Sequence, residues 1–193
     1  MTIRAATGED LARVAELHAT QISEGFLTSL GIPFLRRLYR RVVRSSGSFI
    51  LVEQIDEQIA GFVAGVANVS ALYRSFLVHD GVPAAVMAAP RIARAVPRVI
   101  ETLRYPNATG DLPDAEILAV AVDPEHTGHG IGTALVRAAT EEFLHHNVTT
   151  AKVVTTADNA SALAMYHAAG YLRAADLEVH SGRSSEVLVW TAS

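Results

Sequence analysis

Apolar and polar residues alternate along the chain with two periods, one typical of helices and one typical of strands. In the first third, a short strand comes before two stretches of helical period, and a hairpin of two β-rich segments follows them. Each helical stretch gathers its apolar residues on one face. The elements predicted here are strands at 2–6, 48–54 and 58–69 and helices at 11–22 and 33–44.

Two details of this region carry further predictions. Gly61 and Gly65 stand inside the second hairpin strand, which predicts a bulge or a close approach by another group. The second helix carries five arginines opposite its apolar face, and we expect a solvated basic surface there. An anion or partner site is the alternative for that surface.

The last third follows the order strand, helix, strand, helix, and closes with two strands around a polar turn. Gly170 is predicted to end the second of these helices, because glycine adopts the left-handed conformation that follows many helices. The predicted elements are strands at 116–122, 151–156, 171–179 and 186–190 and helices at 131–146 and 160–169.

An irregular segment separates these two regions. Residues 70–113 contain five prolines, and proline interrupts both helices and sheet ladders. We therefore predict only short helical pieces, at 86–89 and 91–103. A segment of this length is more typical of a lid or binding loop than of a plain connection. The chain is expected to form one α/β domain over 1–193, with a proline-rich, helical insert at 70–113.

Composition excludes several functional classes. Half of the 193 residues are hydrophobic and 19% are charged, which is sufficient for a full core. The net charge of −4 gives no support to nucleic-acid binding, and no apolar run has the length of a membrane span or a signal core. The chain has no cysteine, which excludes disulfides and thiolate nucleophiles. We expect a cytoplasmic protein that binds neither nucleic acid nor membrane.

A glycine-rich turn is the most informative feature of the sequence. Gly128, Gly130 and Gly132 stand between a predicted strand and a predicted helix. Glycine lets a ligand approach the backbone, and a helix N-terminus offers unpaired N–H groups to an anion. The pattern therefore predicts either a phosphate seat or a tight structural turn. Its spacing matches neither the dinucleotide fingerprint nor the P-loop.

The sequence gives little support for a metal site or for a serine hydrolase. His126 and His129 stand three residues apart, but no cysteine or nearby carboxylate pair completes a metal site. No metal is therefore expected. The chain also contains no G-x-S-x-G motif, the nucleophile turn of serine hydrolases.

Two motifs of the last third resemble those of the GNAT family of N-acetyltransferases. Residues 116–125, Glu-Ile-Leu-Ala-Val-Ala-Val-Asp-Pro-Glu, lead into Gly128-His-Gly-Ile-Gly-Thr-Ala-Leu. This segment resembles the family's acetyl-CoA motif, Gln/Arg-x-x-Gly-x-Gly/Ala, with Thr127 where Gln or Arg is usual. Residues 158–171 resemble its second motif, Asn-x-x-Ala-x-x-x-Tyr-x-x-x-Gly-Phe/Tyr. The resemblance implies the GNAT fold, in which helices flank a mixed, mostly antiparallel sheet, with an insert before the fourth strand.

The resemblance also implies acetyl-CoA as cosubstrate. In the family, backbone groups of the fourth strand pair with the pantetheine arm and the glycine turn holds the phosphates. Asn159 would cap its helix, contact the pantetheine arm, or do both. The binding residues implied in this way are Val120, Ala121, Val122, Thr127, Gly128, His129, Gly130, Ile131, Gly132, Thr133, Asn159 and Tyr166.

An acid and a base are implied as well. Tyr166 would give a proton to the CoA thiolate, because a phenol is protonated at neutral pH; a core tyrosine is the alternative. Glu116 would take a proton from the amine, directly or through water; a surface carboxylate at a strand end is the alternative. The acceptor would lie between the loop joining the first two helices, the insert and the closing hairpin. The substrate residues implied are Glu24, Phe26, Tyr73, Phe76, His180 and Arg183.

The expected function is transfer of an acetyl group from acetyl-CoA to a primary amine by direct attack on the thioester. The acceptor would be a small molecule, such as an amino sugar, amino acid, polyamine or antibiotic. Acetylation of a protein N-terminus or lysine is the alternative within the enzymes. A non-catalytic acyl-CoA sensor is the alternative outside them; Thr127 favours it and Tyr166 argues against it. Many relatives are dimers, so the resemblance allows a homodimer.

Overall fold

A seven-stranded sheet with helices on both faces forms the described part of the chain. The computed structural model describes residues 2–22, 26–76, 78–79, 112–178 and 184–192. The strands are β1 (Thr2–Ala5), β2 (Ser48–Ile55), β3 (Gln58–Val66), β4 (Glu116–Val122), β5 (Thr150–Thr156), β6 (Leu172–Glu178) and β7 (Ser184–Thr191). The helices are α1 (Leu11–Gln21), α2 (Phe26–Ser29), α3 (Ile32–Arg44), α4 (residues 69–76), α5 (Ile131–His145) and α6 (Ala160–Ala168).

The strand order is β1-β2-β3-β4-β5-β7-β6. Neighbouring strands in these ranges pair antiparallel, except that β4 and β5 run parallel. The β4–β5 ladder contains a single register pair, Glu116 opposite Lys152. The two strands diverge after this pair, so their pairing stops and a cleft is left in the middle of the sheet. The mixed, mostly antiparallel sheet that the sequence predicted is confirmed.

Two apolar cores lie on opposite faces of the sheet. The first core packs α1, α3 and α4 against β2, β3 and β4, and Leu17, Leu35 and Phe62 are buried in it. The second core packs α5 and α6 against the other face, around Leu135 and Phe143. The central strand β3 is buried from residue 59 to 66 because helices cover both of its faces.

Side-chain hydrogen bonds lie at two of the helix starts, one in the turn before α1 and one that caps α6. The Asp10 carboxylate accepts a hydrogen bond from the Thr7 backbone N–H at 2.7 Å, just before α1 begins. The Asn159 side chain accepts from the Ala162 N–H at 3.0 Å, which satisfies one of the N–H groups that a helix start leaves unpaired. The capping role predicted for Asn159 is confirmed.

The prediction for the end of β3 was wrong. The strand stops at Val66 rather than Val69, and residues 69–76 form a helix. The Asn68 side chain accepts a hydrogen bond from the Ala71 N–H at 2.7 Å, so it caps this helix. The helical pieces predicted at 86–89 and 91–103 lie outside the described residues. No helix in the described ranges is long and apolar enough to cross a membrane.

The apolar face predicted for α3 is confirmed with one exception. Phe34, Leu35, Leu38, Tyr39 and Val42 are buried, whereas the last apolar residue of the helix, at position 43, is 38% exposed. That residue lines an open groove beside β1 and β2 instead of packing into the core. The basic face predicted opposite is present, with its arginines exposed or half-buried.

Candidate active site

A cleft of about 590 Å³ opens where β4 and β5 diverge. Residues 117–120 of β4 form one wall and residues 153–156 of β5 form the other, while α6 lies across one side. A second cavity of about 500 Å³ lies beside it over the glycine turn. The two cavities share lining residues and so form one continuous groove. The shared residues are Gln21, Val120, Asn159, Ala162 and Met165.

A bulge in β4 frees backbone groups at the wall of the cleft. Ala64 of β3 lies opposite Ala119, but its neighbour Gly65 lies opposite Ile117, so Leu118 has no partner in β3. An unpaired residue of this kind defines a β-bulge, which bends the strand and breaks its ladder. The sequence signal was Gly65, at which a bulge or a close approach was predicted. Leu118 itself gave no signal, because its backbone rather than its side chain makes the feature.

The glycine turn presents open backbone to the second cavity. Gly128 and Gly130 adopt φ of +80° and +76°, and a Cβ at either position would meet nothing within 4 Å. The first bond of α5 runs from the Ala134 N–H to the Gly130 carbonyl, and no side chain caps the helix. The N–H groups of the first turn therefore remain available to an anion, favoured by the positive end of the helix dipole. These features fit a phosphate group.

Gly132 differs from the other two glycines because it allows two helices to pack closely. A Cβ at this position would lie 2.6 Å from the Met165 sulfur, so the glycine allows α5 to pack closely on α6. Both residues line the second cavity. The close packing therefore fixes the position of α6 relative to the turn.

Tyr166 reaches the cleft from α6. Its side chain is 6% exposed and lines the cleft beside the β4 wall. Burial raises the pKa of its phenol above the ordinary range, so the hydroxyl is protonated at neutral pH. The ring packs on Tyr171 with centroids 5.9 Å apart. The tyrosine is thus both a core residue and a wall of the cleft.

Glu116 lies in the one register pair that joins β4 to β5, directly before Ile117, the first β4 residue that lines the cleft. Its side chain is 12% exposed, and its Oε2 atom lies 3.4 Å from the Lys152 ammonium nitrogen. Burial raises the pKa of Glu116 to about 7, while the charge of Lys152 acts in the opposite direction. Tyr73 of α4 packs on the first core, and the charge of Glu116 contributes to raising its pKa. Tyr73 thus belongs to the first core, whereas Tyr166 belongs to the second core.

A model of the acetyltransferase (GNAT) family matches residues 11–171 of the chain. This match covers both sequence motifs, the cleft and the glycine turn. The chain belongs to the GNAT acetyltransferase family. A mycothiol acetyltransferase from Kocuria rhizophila is 36% identical over 66 residues, which is 34% of this chain and 22% of that protein. The chain thus matches about a fifth of the length of this curated relative.

Solved structures of GNAT proteins share the whole fold. A ribosomal-protein-alanine N-acetyltransferase from Brucella melitensis superposes with a TM-score of 0.65 at 16% identity, over 99% of both chains. YncA from Salmonella typhimurium, solved with its cofactor acetyl-CoA, gives 0.65 at 17% identity over 100% of this chain and 94% of that one. A variant of the spermidine N-acetyltransferase SpeG from Vibrio cholerae gives 0.61 at 14% identity, over 99% and 95%.

The structure brings together most of the residues that the GNAT resemblance singled out. Those that line the second cavity are Val120, Ala121, Val122, Thr127, Gly128, Gly130, Ile131, Gly132, Thr133 and Asn159. His129 is exposed and lines neither cavity. The Thr127 hydroxyl donates to the Pro124 carbonyl at 2.9 Å, so it closes the turn before α5.

Some of the residues predicted to line the acceptor site lie within the described ranges. Tyr73 packs against the first core, and burial together with the charge of Glu116 raises its pKa. Phe76 is buried against Phe34, with ring centroids 5.5 Å apart, so it packs in a small apolar cluster below α3. Phe26 begins α2. The remaining predicted residues, Glu24, His180 and Arg183, lie outside the described residues.

Proposed function

We propose that this GNAT protein transfers an acetyl group from acetyl-CoA to the primary amine of a small molecule. The observation that carries the proposal is the continuous groove, which joins an anion-seating turn at one end to the Tyr166 phenol at the other. The Glu116 carboxylate lies on the residue that precedes the first β4 residue of the cleft wall. The turn suits the phosphates of CoA, and the two ionisable groups suit the two proton transfers that the reaction needs.

The chain's own residues would hold the cosubstrate along this groove. The backbone of the glycine turn and the first N–H groups of α5 would hold the phosphates. The pantetheine arm would lie between the diverging strands, where β4 and β5 leave backbone groups without ladder partners. The Leu118 backbone, which the bulge releases from β3, would provide a hydrogen-bond donor for the thioester carbonyl.

Two residues would handle the protons. Glu116 would accept a proton from the amine as its nitrogen attacks the carbonyl carbon, since a base with a pKa near the working pH is the most effective. The C–S bond breaks as the N–C bond forms, and Tyr166 would give its proton to the departing sulfur. The phenol is suited to this role because burial keeps it protonated.

A small amine is favoured by the position of the carboxylate. Glu116 is recessed, with only 12% of its side chain exposed, and a slim primary amine reaches such a group more easily than a folded protein surface does. Among GNAT structures with this fold are a spermidine N-acetyltransferase and a ribosomal-protein-alanine N-acetyltransferase. The acceptor panel must therefore include polyamines, amino acids, amino sugars, aminoglycoside-type antibiotics and peptides with a free N-terminus or lysine.

The experiment measures CoA release over this panel and the affinity for acetyl-CoA by calorimetry. We expect Tyr166→Phe to lower kcat at least about tenfold with nearly unchanged acetyl-CoA affinity. Tyr171→Phe is the matched control, because that tyrosine is equally buried and packs on the same ring.

We expect Glu116→Gln to remove the acidic limb of the pH–rate profile, with Glu141→Gln on the exposed face of α5 as control.

The outcomes separate the alternatives. Release that only a peptide stimulates would assign the chain to protein acetylation. Saturable acetyl-CoA binding without release by any amine would favour the sensor. Equal activity of wild type and Tyr166→Phe would remove the tyrosine from the mechanism.

A further inference from the structure

The only lysine of the chain is buried beside the proposed base. Lys152 lies in β5 with 1% of its surface exposed. Its ammonium group donates to the Pro113 carbonyl and lies 3.4 Å from the Glu116 carboxylate. Its backbone N–H donates to the Ala115 carbonyl at 2.8 Å. The lysine is therefore tied to the residues that lead into β4 through both its side chain and its backbone.

A buried lysine is expensive unless its charge is compensated. Here the Pro113 carbonyl fixes the ammonium group, and the Glu116 carboxylate provides the opposite charge. The 3.4 Å contact is longer than a formed hydrogen bond, so the interaction with the carboxylate is mainly electrostatic. The carboxylate in turn depends on the lysine, because an isolated carboxyl group in an apolar setting takes up a proton.

The surroundings of the carboxylate contain few other charges. Among the described residues, Lys152 from β5 is the titratable group that lowers the pKa of Glu116. Burial and, to a smaller extent, the charge of Glu116 raise the pKa of Tyr73 from α4. The neighbours that β3 contributes opposite the start of β4, Gly65 and Val66, are apolar. In the described part of the chain, Lys152 is thus the one positive charge that can offset the burial of this carboxylate.

We propose that Lys152 is a positioning residue for catalysis: anchored by the Pro113 carbonyl, its ammonium group holds the Glu116 carboxylate at the start of β4 and favours its ionised form. This inference rests on the proposed function, in which Glu116 is the base. It adds a residue that touches neither substrate nor cosubstrate. It also gives a role to the single register pair that joins β4 to β5.

The kinetic consequence is a shift of the acidic limb of the pH–rate profile. An opposite charge at this distance lowers the pKa of a carboxyl group by about one to three pH units. Lys152→Met should therefore move the limb upward by about that amount and lower the rate at neutral pH, because less of the carboxyl group is ionised. Lys152→Arg keeps the positive charge and should leave the limb close to its wild-type position.

A spectroscopic test uses the wild-type protein and so does not depend on the folding of a variant. Because the chain has one lysine, selective labelling of lysine gives a single side-chain NMR signal. We expect this signal to titrate with the same midpoint as the kinetic limb, since ionisation of Glu116 changes the field at the ammonium group. In Glu116→Gln the titration should be absent.

The results distinguish failure of the inference from failure of the proposed function. A lysine signal that stays constant across the limb, or an unshifted limb in Lys152→Met, would overturn the inference even if Glu116→Gln abolishes the limb. A limb that survives in Glu116→Gln would overturn the base itself, whatever the NMR signal does. Coincident midpoints, with both titration and limb lost in Glu116→Gln, would support both.

Discussion

Burial decides how the ionisable side chains of this protein behave. Withdrawal from water raises the pKa of Glu116 to about 7 and lowers that of His18 to about 4, because it disfavours the charged form of each. His18 is consequently neutral inside the first core, with Nδ1 2.5 Å from the Tyr39 hydroxyl. At the residue scale, one physical cause thus produces both a base suited to neutral pH and an uncharged core histidine.

The raised pKa of Glu116 predicts a pH-dependent stability. The protonated carboxyl group favours the folded state, so its contribution is complete below pH 4.5, the ordinary value, and is lost as the pH rises through 7. Relative to Glu116→Gln, wild type should lose up to about 3 kcal/mol of unfolding free energy between pH 4.5 and pH 8. Urea unfolding at a series of pH values measures this difference. A constant difference across the range, such as we expect between wild type and Glu141→Gln, would contradict the prediction.

The role of a residue could be predicted from the sequence where that role requires a particular residue type. Gly128 and Gly130 were identifiable because left-handed backbone favours that residue type, and both adopt positive φ. Lys152 and His18 were not recognised as buried, because polar residues in an apolar stretch give no sign of the partner that compensates them. Their partners, Glu116 and Tyr39, come from distant parts of the chain.

At the scale of elements, the β2–β3 hairpin shows how a missing side chain shapes packing. Gly65 and Phe49 are register partners across the hairpin, and the phenyl ring lies over the glycine. That ring also packs edge-on against Phe143 of α5, with centroids 5.0 Å apart. The glycine thus lets an aromatic side chain of β2 lie against the sheet and join the second core.

Gly65→Ala should therefore destabilise the protein. The new Cβ would lie 2.4 Å from the Phe49 ring, which is held on its other side, and overpacking of this kind costs about 1–3 kcal/mol. Gly8→Ala is the control, because a Cβ there meets nothing within 4 Å and should change stability by less than about 0.5 kcal/mol. Thermal and urea unfolding of both variants provide the test. Similar stability of the two would show that the ring moves away freely.

Most elements could be predicted from their apolar residues, which follow a helical period in α1 and α3 and form a continuous run in the doubly covered strand β3. The ends of helices and strands were harder to predict where a capping side chain, rather than the apolar period, determines them. The Asn68 cap starts α4 directly after β3, inside a stretch where the apolar run continues. The residue at the β4 bulge could not be predicted either, since the bulge arises from the pairing of two strands.

The whole molecule consists of two half-sheets, β1–β4 and β5–β7, that meet through one register pair. A ligand in the groove would contact both halves and α6 at once, since all three line it. The family and fold could be inferred from two motifs and the element order. The acceptor could not, because its walls come from loops that follow no period.

Ligand binding should accordingly stabilise the entire protein. At a concentration of CoA about a hundredfold above Kd, binding adds about 2.7 kcal/mol to the unfolding free energy, which raises Tm by about 5–10 °C for a chain of this size. Gly130→Val should abolish the shift, because it places a branched side chain at a φ of +76° in the phosphate seat. Gly8→Val is the control for the substitution itself. A full shift in Gly130→Val would mean that the turn does not hold the ligand.

The burial of Lys152 has a consequence for the chain's own exposure to reactive thioesters. Lysine ε-amines on a protein surface are slowly acetylated by acetyl-CoA, but here the sole lysine is 1% exposed and every other basic side chain is an arginine or histidine. Basic surfaces such as that of α3 are therefore built from guanidinium groups, which resist acylation. A chain built in this way offers acetyl-CoA no accessible lysine.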